Sequence, residues 1–276
     1  MTRPGCRAVP LPESGPMLDP SDAATPTRPL SAWLAGRIDW PGYARMAERL
    51  AGEAAMPGGR HPTLVVFELE PCITIGRLGS RADVLMADEE LQSRRLPLRF
   101  TGRGGGAVAH GPGQVCVSLF ASLDDLGLGP HDVGACLDRF ERGLAATLRA
   151  LKTGPVRHPG TCGIFGRTGL LAAVGLAIRR GGVAHGGFVN VCPPLEVHQR
   201  VVAGRQPAAH GGGVPVTMGS VEADIQRRVR LQDARTSLVE QLADAFGFEQ
   251  THIHSGFPVA TVAAGPSLPG AVSRVG

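Results

Sequence analysis

Lysine is nearly absent. The sequence holds 28 Lys and Arg residues, and Lys152 is the single lysine among them, so a mechanism that needs a lysine amine has one candidate. No run of basic residues exceeds two, so the formal charge of +4 is spread along the chain, whereas a nucleic-acid footprint would gather it into a patch. Diffuse basicity of this kind suits weak attraction to an acidic protein partner. The six cysteines, Cys6, Cys72, Cys116, Cys136, Cys162 and Cys192, contain no CxxC pair. Their spacing argues against a zinc site or a disulfide framework and for reduced thiols in a cytoplasmic protein. The stretch MTRPGCRAVPLPESGPM has no apolar core, so no signal peptide is expected. No apolar run reaches the roughly 20 residues of a membrane helix, and no membrane association is expected. HExxH, GxSxG and GxxxxGK[ST] are missing too, as is GxGxxG in a strand-to-helix context, which removes support for metalloprotease, α/β-hydrolase and common nucleotide-binding readings. No metal and no cofactor are expected.

Glycine is what the chain has in quantity, above all in RFTGRGGGAVAHGPGQV, residues 99–115. Glycine this dense in an apolar region is entropically costly and implies a close approach to the backbone. A tight hairpin explains GRGGG but not HGPGQ, which adds a second turn and two polar side chains. His185 lies in RRGGVAHGGFVNV, again before glycine and a strand, so His110 and His185 are either two surface turns or two walls of one cleft. The cysteines have no sequence neighbour that would lower a thiol pKa, and by default are small buried residues.

With 276 residues, 43% of them hydrophobic, the chain can bury a sizeable core. Residues 1–30 are rich in Pro, Ser, Thr and Asp and are expected to form a disordered tail; the loose composition after about 250 suggests a second tail at 251–276. The folded domain is then 31–250. Within it, Tyr43, Met46, Ala47, Leu50, Ala51 and Ala54 recur at helical spacing after Pro41. TLVVFELE, PLRFT, QVCVSLF, TCGIF, LLAAVGLAI, GGFVNVC and VPVTM read as strands. A short helix is expected around ADEELQSRR, a long one over Val133–Leu151, and a last one through Leu238, Leu242 and Phe246, closed by Gly247. Ser220 suits a helix N-cap. Helices and strands do not alternate strictly, which predicts an α+β fold with a mixed sheet packed by helices.

Several segments fall into one order: ELEPCITIGR, DEEL, GRGGGAVAHGPGQV, HPGTCGIF, LLAAVGLAIRRGGVAHGGFVNV and VPVTMGS. Spanning about 40–225, this series resembles the octanoyltransferases of lipoate biosynthesis, a family that shares the biotin/lipoate ligase fold. The resemblance implies transfer of an octanoyl group from acyl carrier protein to a cysteine and then to a lysine of a lipoyl domain, with a lysine near the thiol to activate it. It places Arg77, Arg103, Gly104, Gly105, Gly106, Ala107, Val108, Ala109 and His110 around the acyl pocket. Ala173, Val174 and Gly175 would form its floor, with Gly186, Gly187 and Phe188 beside them. The two groups that carry the chemistry are replaced. Leu170 occupies the lysine position, Gly204 (or Ala203) occupies the cysteine position, and no cysteine follows Cys192. The chain is therefore expected to keep the pocket as a non-catalytic homologue, binding an acyl or lipoyl group, an acyl carrier or a lipoyl domain. The alternative is active transfer through a relocated thiol, Cys192 first and Cys162 second.

Overall fold

Alternation along residues 114–122 decides the architecture. Val115, Val117, Leu119 and Ala121 join one apolar core, while Cys116 and Phe120 join another, so this strand is buried on both faces. The computed structural model describes residues 9–10, 26, 28–56, 58–158, 163–179, 181–206 and 214–258. In chain order the elements are β1 (Val9–Pro10), β2 (Leu30–Ile38), α1 (Trp40–Ala54), β3 (Thr63–Leu69), β4 (Cys72–Ile75), α2 (Asp88–Ser93), β5 (Leu98–Phe100), β6 (Ala107–His110) and β7 (Gln114–Ser122). They continue with α3 (Val133–Ala150), β8 (Val156–Arg157), β9 (Gly163–Gly166), β10 (Gly169–Arg179), β11 (Gly182–Asn190), α4 (Leu195–His198), β12 (Arg205–Gln206), β13 (Val214–Pro215), α5 (Val221–Ile225), α6 (Leu231–Phe246) and β14 (Thr251–Ser255).

Among the described residues, nine strands form the main sheet in the order β1-β8-β9-β10-β11-β7-β3-β2-β14, and β5-β4-β6 form a smaller one. The main sheet is mixed, since β2 runs parallel to β3 and β14 but β3 runs antiparallel to β7. The α+β expectation holds. Helices α3 and α6 cover one face, where Phe140, Leu144 and Leu148 of α3 and Leu238, Leu242 and Phe246 of α6 pack on Val115, Val117 and Leu119. Helix α1 covers the other face through Tyr43, Met46, Ala47, Leu50 and Ala54. Asp39 caps it, its Oδ1 accepting from the Gly42 amide at 2.8 Å, and Pro41 fits the first turn because it has no amide to satisfy there. Ser220 caps α5, and Gly247 ends α6 in the left-handed region with φ +80.

Sequence expectation and structure differ at strands whose pairing is long-range. AVAH (107–110) belongs to no loop: it is β6, antiparallel to β4 from Ile75↔Ala107 to Cys72↔His110. β2 and β14 pair with each other across more than 200 residues of sequence, and neither shows a clean period-two pattern. Only Val214–Pro215 of VPVTM is in a strand, paired with Arg205–Gln206. Most of the expected N-terminal tail lies outside the described residues, as do residues 259–276, whereas β14 continues the main sheet past residue 250.

Candidate functional site

Between the main sheet, α1, the small sheet and the segment around residue 204 is an open cavity of about 430 Å³. Arg103, Gly105 and Gly106 of the glycine loop and Val108 and His110 of β6 form one wall. Cys116 and Ser118 of β7, with Ala173, Val174, Gly175, Gly186, Gly187 and Phe188 of β10 and β11, form the opposite one. Trp40 and Tyr43 reach in from α1, and Ala203 and Gly204 cross near the glycine loop. Glycine is required where backbones meet: a Cβ on Gly175 would lie 2.8 Å from the Gly104 carbonyl oxygen, and one on Gly106 would lie 2.6 Å from that of Ala203. These contacts account for the glycine density noted in the sequence.

The HGPGQ histidine is tied into a directed chain of hydrogen bonds. The Gln114 side-chain amide donates to the Ala109 carbonyl at 3.0 Å, which fixes which end of the amide is nitrogen. Its Oε1 therefore accepts from His110 Nδ1 at 2.6 Å, and its Nε2 also donates to Asn190 Oδ1 at 2.8 Å. Asn190 Nδ2 in turn donates to the Leu170 carbonyl at 3.2 Å. On the other side, Arg103 Nη2 donates to Thr74 Oγ1 at 2.8 Å, leaving the threonine proton for His110 Nε2 at 2.9 Å. His110 is thus a neutral imidazole with both nitrogens engaged; burial, reinforced by the charge of Arg103, holds its pKa down to about 3. It braces the loop against the strands and offers no lone pair to a substrate.

A second polar group stands beside it. Tyr43 Oη lies 3.0 Å from Ser118 Oγ and 2.9 Å from His185 Nδ1, and His185 takes a left-handed backbone with φ +66. Burial pushes the Tyr43 phenol well above its ordinary value, so it stays protonated. The Arg103 guanidinium is also withdrawn from solvent, and its pKa falls to about 10. Its partners are neutral: the carbonyls of Thr74, Gly104 and Gly106 and the Thr74 hydroxyl.

Among the described residues, neither Cys116 nor Cys192 is set up as a nucleophile. Cys116 Sγ lies 3.8 Å from His110 Nδ1 and 3.5 Å from Gln114 Oε1, but that ring nitrogen already carries a proton directed to Gln114. Burial raises the Cys116 pKa, and no base is available to draw the proton off. Cys192 does not line the cavity; it packs on the helix-covered core, and burial raises its pKa as well. Cys162 lies outside the described residues.

Of the residues singled out from the sequence, Arg103, Gly105, Gly106, Val108, His110, Ala173, Val174, Gly175, Gly186, Gly187 and Phe188 line the cavity, as do Leu170 and Gly204. Arg77, Gly104, Ala107 and Ala109 do not. Leu170 is buried among Phe165, Val216 and Met218, while a Cβ on Gly204 would meet nothing within 4 Å. Lys152 follows α3, exposed and away from the cavity. Sequence reasoning missed Tyr43, Thr74, Cys116 and Ser118 as cavity residues. Period two on β7 places 114, 116 and 118 on one face and could have found the last two.

The family model for the lipoyl protein ligase A/B catalytic domain matches residues 45–243. The chain belongs to that family. Among curated lipoyl ligase A/B relatives, the octanoyltransferase of Geotalea uraniireducens is 30% identical over 200 residues, covering 72% of this chain and 85% of the relative. The octanoyltransferase of Roseiflexus sp. is 29% identical over 225 residues, covering 80% and 89%. A solved lipoate-protein ligase A bound with ATP superposes with a TM-score of 0.60 at 17% identity, covering 85% of this chain and 90% of that one, which shows a shared fold. The bipartite lipoate protein ligase of Thermoplasma acidophilum does so with a TM-score of 0.57 at 15% identity, covering 82% and 87%.

Proposed function

We propose that this member of the lipoyl ligase A/B family binds a medium-chain acyl or lipoyl group in its cavity and has lost the cysteine–lysine transfer that the resemblance to octanoyltransferases implies. One observation carries the reading: Leu170 and Gly204, at the positions where that chemistry needs an amine and a thiol, both face the cavity. Losing a nucleophile ordinarily lowers a rate by several orders of magnitude. Among the described residues the cavity thiol is Cys116, and the ring nitrogen nearest it, His110 Nδ1, donates to Gln114. The pocket itself is retained, with an apolar wall of Phe67, Leu69, Phe165 and Phe188. An octanoyl-loaded acyl carrier or a lipoyl domain is the macromolecular partner proposed for it, and the free thiols Cys72, Cys116, Cys136 and Cys192 suit a cytoplasmic setting.

The test is intact-mass measurement after incubation with octanoyl acyl carrier protein, beside calorimetric titration with octanoate and lipoate. Ligand binding without a covalent adduct is the expected result. A hydroxylamine-labile octanoyl adduct on Cys192 or Cys162 would establish the relocated-thiol alternative instead, and no binding at all would remove the pocket reading.

A further inference from the structure

Among the described residues the main sheet ends at β1 and β14, and the two ends are protected differently. Charge, proline and short length are what keep an exposed strand edge from pairing with another chain. β1 is two residues long and contains Pro10, and β5, an edge strand of the small sheet, carries Arg99. β14 has none of these guards. Its five residues are Thr, His, Ile, His and Ser, without proline, lysine, arginine or carboxylate, and Ile253 at its centre is 62% exposed.

The bonds to β2 fix which backbone groups β14 has left over. β14 runs parallel to β2 with Ile253 opposite Ala32. At one end the Leu30 amide donates to the Gln250 carbonyl, and at the other the Gly256 amide donates to the Leu34 carbonyl. Successive residues of an extended strand turn to opposite sides, so 250, 252, 254 and 256 bond inward to β2. Thr251, Ile253 and Ser255 then direct both amide and carbonyl outward, three donors and three acceptors in a row. No described strand pairs with that side.

This row is complementary to itself. Turned about a two-fold axis through Ile253, each Thr251 meets the second copy's Ser255, and Ile253 meets its own equivalent. All three pairs then fall on the hydrogen-bonded positions of an antiparallel ladder, where each pair exchanges two bonds. No residue of fixed charge in the strand is brought against its like. Ile253 shares a face with Ala32, which packs in the core under α3 and α6, so the two isoleucines carry that apolar layer across the seam.

We propose that β14 is a dimer edge, pairing antiparallel with β14 of a second copy so that the two main sheets run on as one. The cavity takes no lining residue from β2 or β14, so both cavities stay accessible and the proposal stands apart from any reading of their ligand.

The experiment is sedimentation of the full chain across a concentration series. Five residues a side fall well short of a standard interface, so a monomer–dimer equilibrium with a Kd on the order of 10–100 μM is expected. Amide hydrogen exchange at high and low concentration reads the register: Thr251, Ile253 and Ser255 slow in the dimer, while His252 and His254, already bonded to β2, change little. Ile253→Pro removes an amide that bonds nothing within the chain and should weaken the dimer by roughly tenfold or more. Ile253→Lys keeps the amide, sets like charges across the axis and should do the same. Phe100→Lys on β5 should leave association unchanged, with melting curves confirming that all three variants fold. A monomer at every concentration overturns the proposal. So does association that survives both Ile253 variants or is lost in Phe100→Lys, or protection at 252 and 254 in place of 251, 253 and 255.

Discussion

At the scale of single residues, burial with full pairing explains most of the site's behaviour. His110 keeps two hydrogen bonds as a neutral ring, and its folded pKa of about 3 lies below the ordinary imidazole value of 6.5. The unfolded chain therefore binds a proton that the folded chain refuses. Stability from this residue is complete above about 6.5 and is lost progressively as pH falls toward 3; buried His198 shifts in the same direction. Denaturant curves should show stability already declining between about pH 6.5 and 5, above the range in which carboxylates titrate. A flat profile there would show that His110 is protonated in the folded state. Gly204 is the opposite case. Its Cβ position is open, so Gly204→Cys should alter stability by no more than about 0.5 kcal/mol and add one maleimide-reactive thiol by mass. A drop of several kcal/mol would mean the segment at 203–204 is more constrained than this geometry shows.

At the scale of elements, the HGPGQ turn depends on a helix far away in sequence. Glu68 at the end of β3 accepts from the Gly113 amide at 3.0 Å and pairs with Arg235 of α6, so α6 anchors the turn that carries His110 and Gln114. Glu68→Ala should destabilise the fold by about 2–3 kcal/mol, because it strands the Gly113 amide and a largely buried guanidinium together. Chemical denaturation measures it, and a change below about 0.5 kcal/mol would show that solvent already satisfies both groups. This connection could not be seen in the sequence, where Glu68 reads as one more residue of an apolar run. The legible elements were those with local signals: the 3.6-residue periodicity of α1 and α3, the Ser220 cap and the Gly247 stop. The strands β2, β6 and β14 were illegible for a shared reason. They owe their conformation to pairing partners, and AVAH between two glycine turns gives no clue that β4 lies beside it.

At the scale of the whole molecule, motif order made the glycine loop legible as a cavity wall, and its glycines answer close backbone contacts with Ala203 and with β10. The cavity's polarity was not, since it depends on Tyr43 and Ser118 meeting through folding from positions 75 residues apart. The way the main sheet separates the cores on its two faces gives the last prediction. The cavity lies among α1, the small sheet and one face of β7, β10 and β11, while α3 and α6 pack on the other face. A ligand that binds only the folded state at a hundredfold excess over its Kd adds about 2.7 kcal/mol, enough to raise the Tm by roughly 5 °C in a domain of this size. Amide hydrogen exchange with octanoate should then slow at 103–118 and 173–188 by local ordering. Residues 133–150 and 231–246 should change only to the extent that they exchange through global unfolding. Protection confined to α3 and α6 would place the ligand in the other core and overturn this assignment of the cavity.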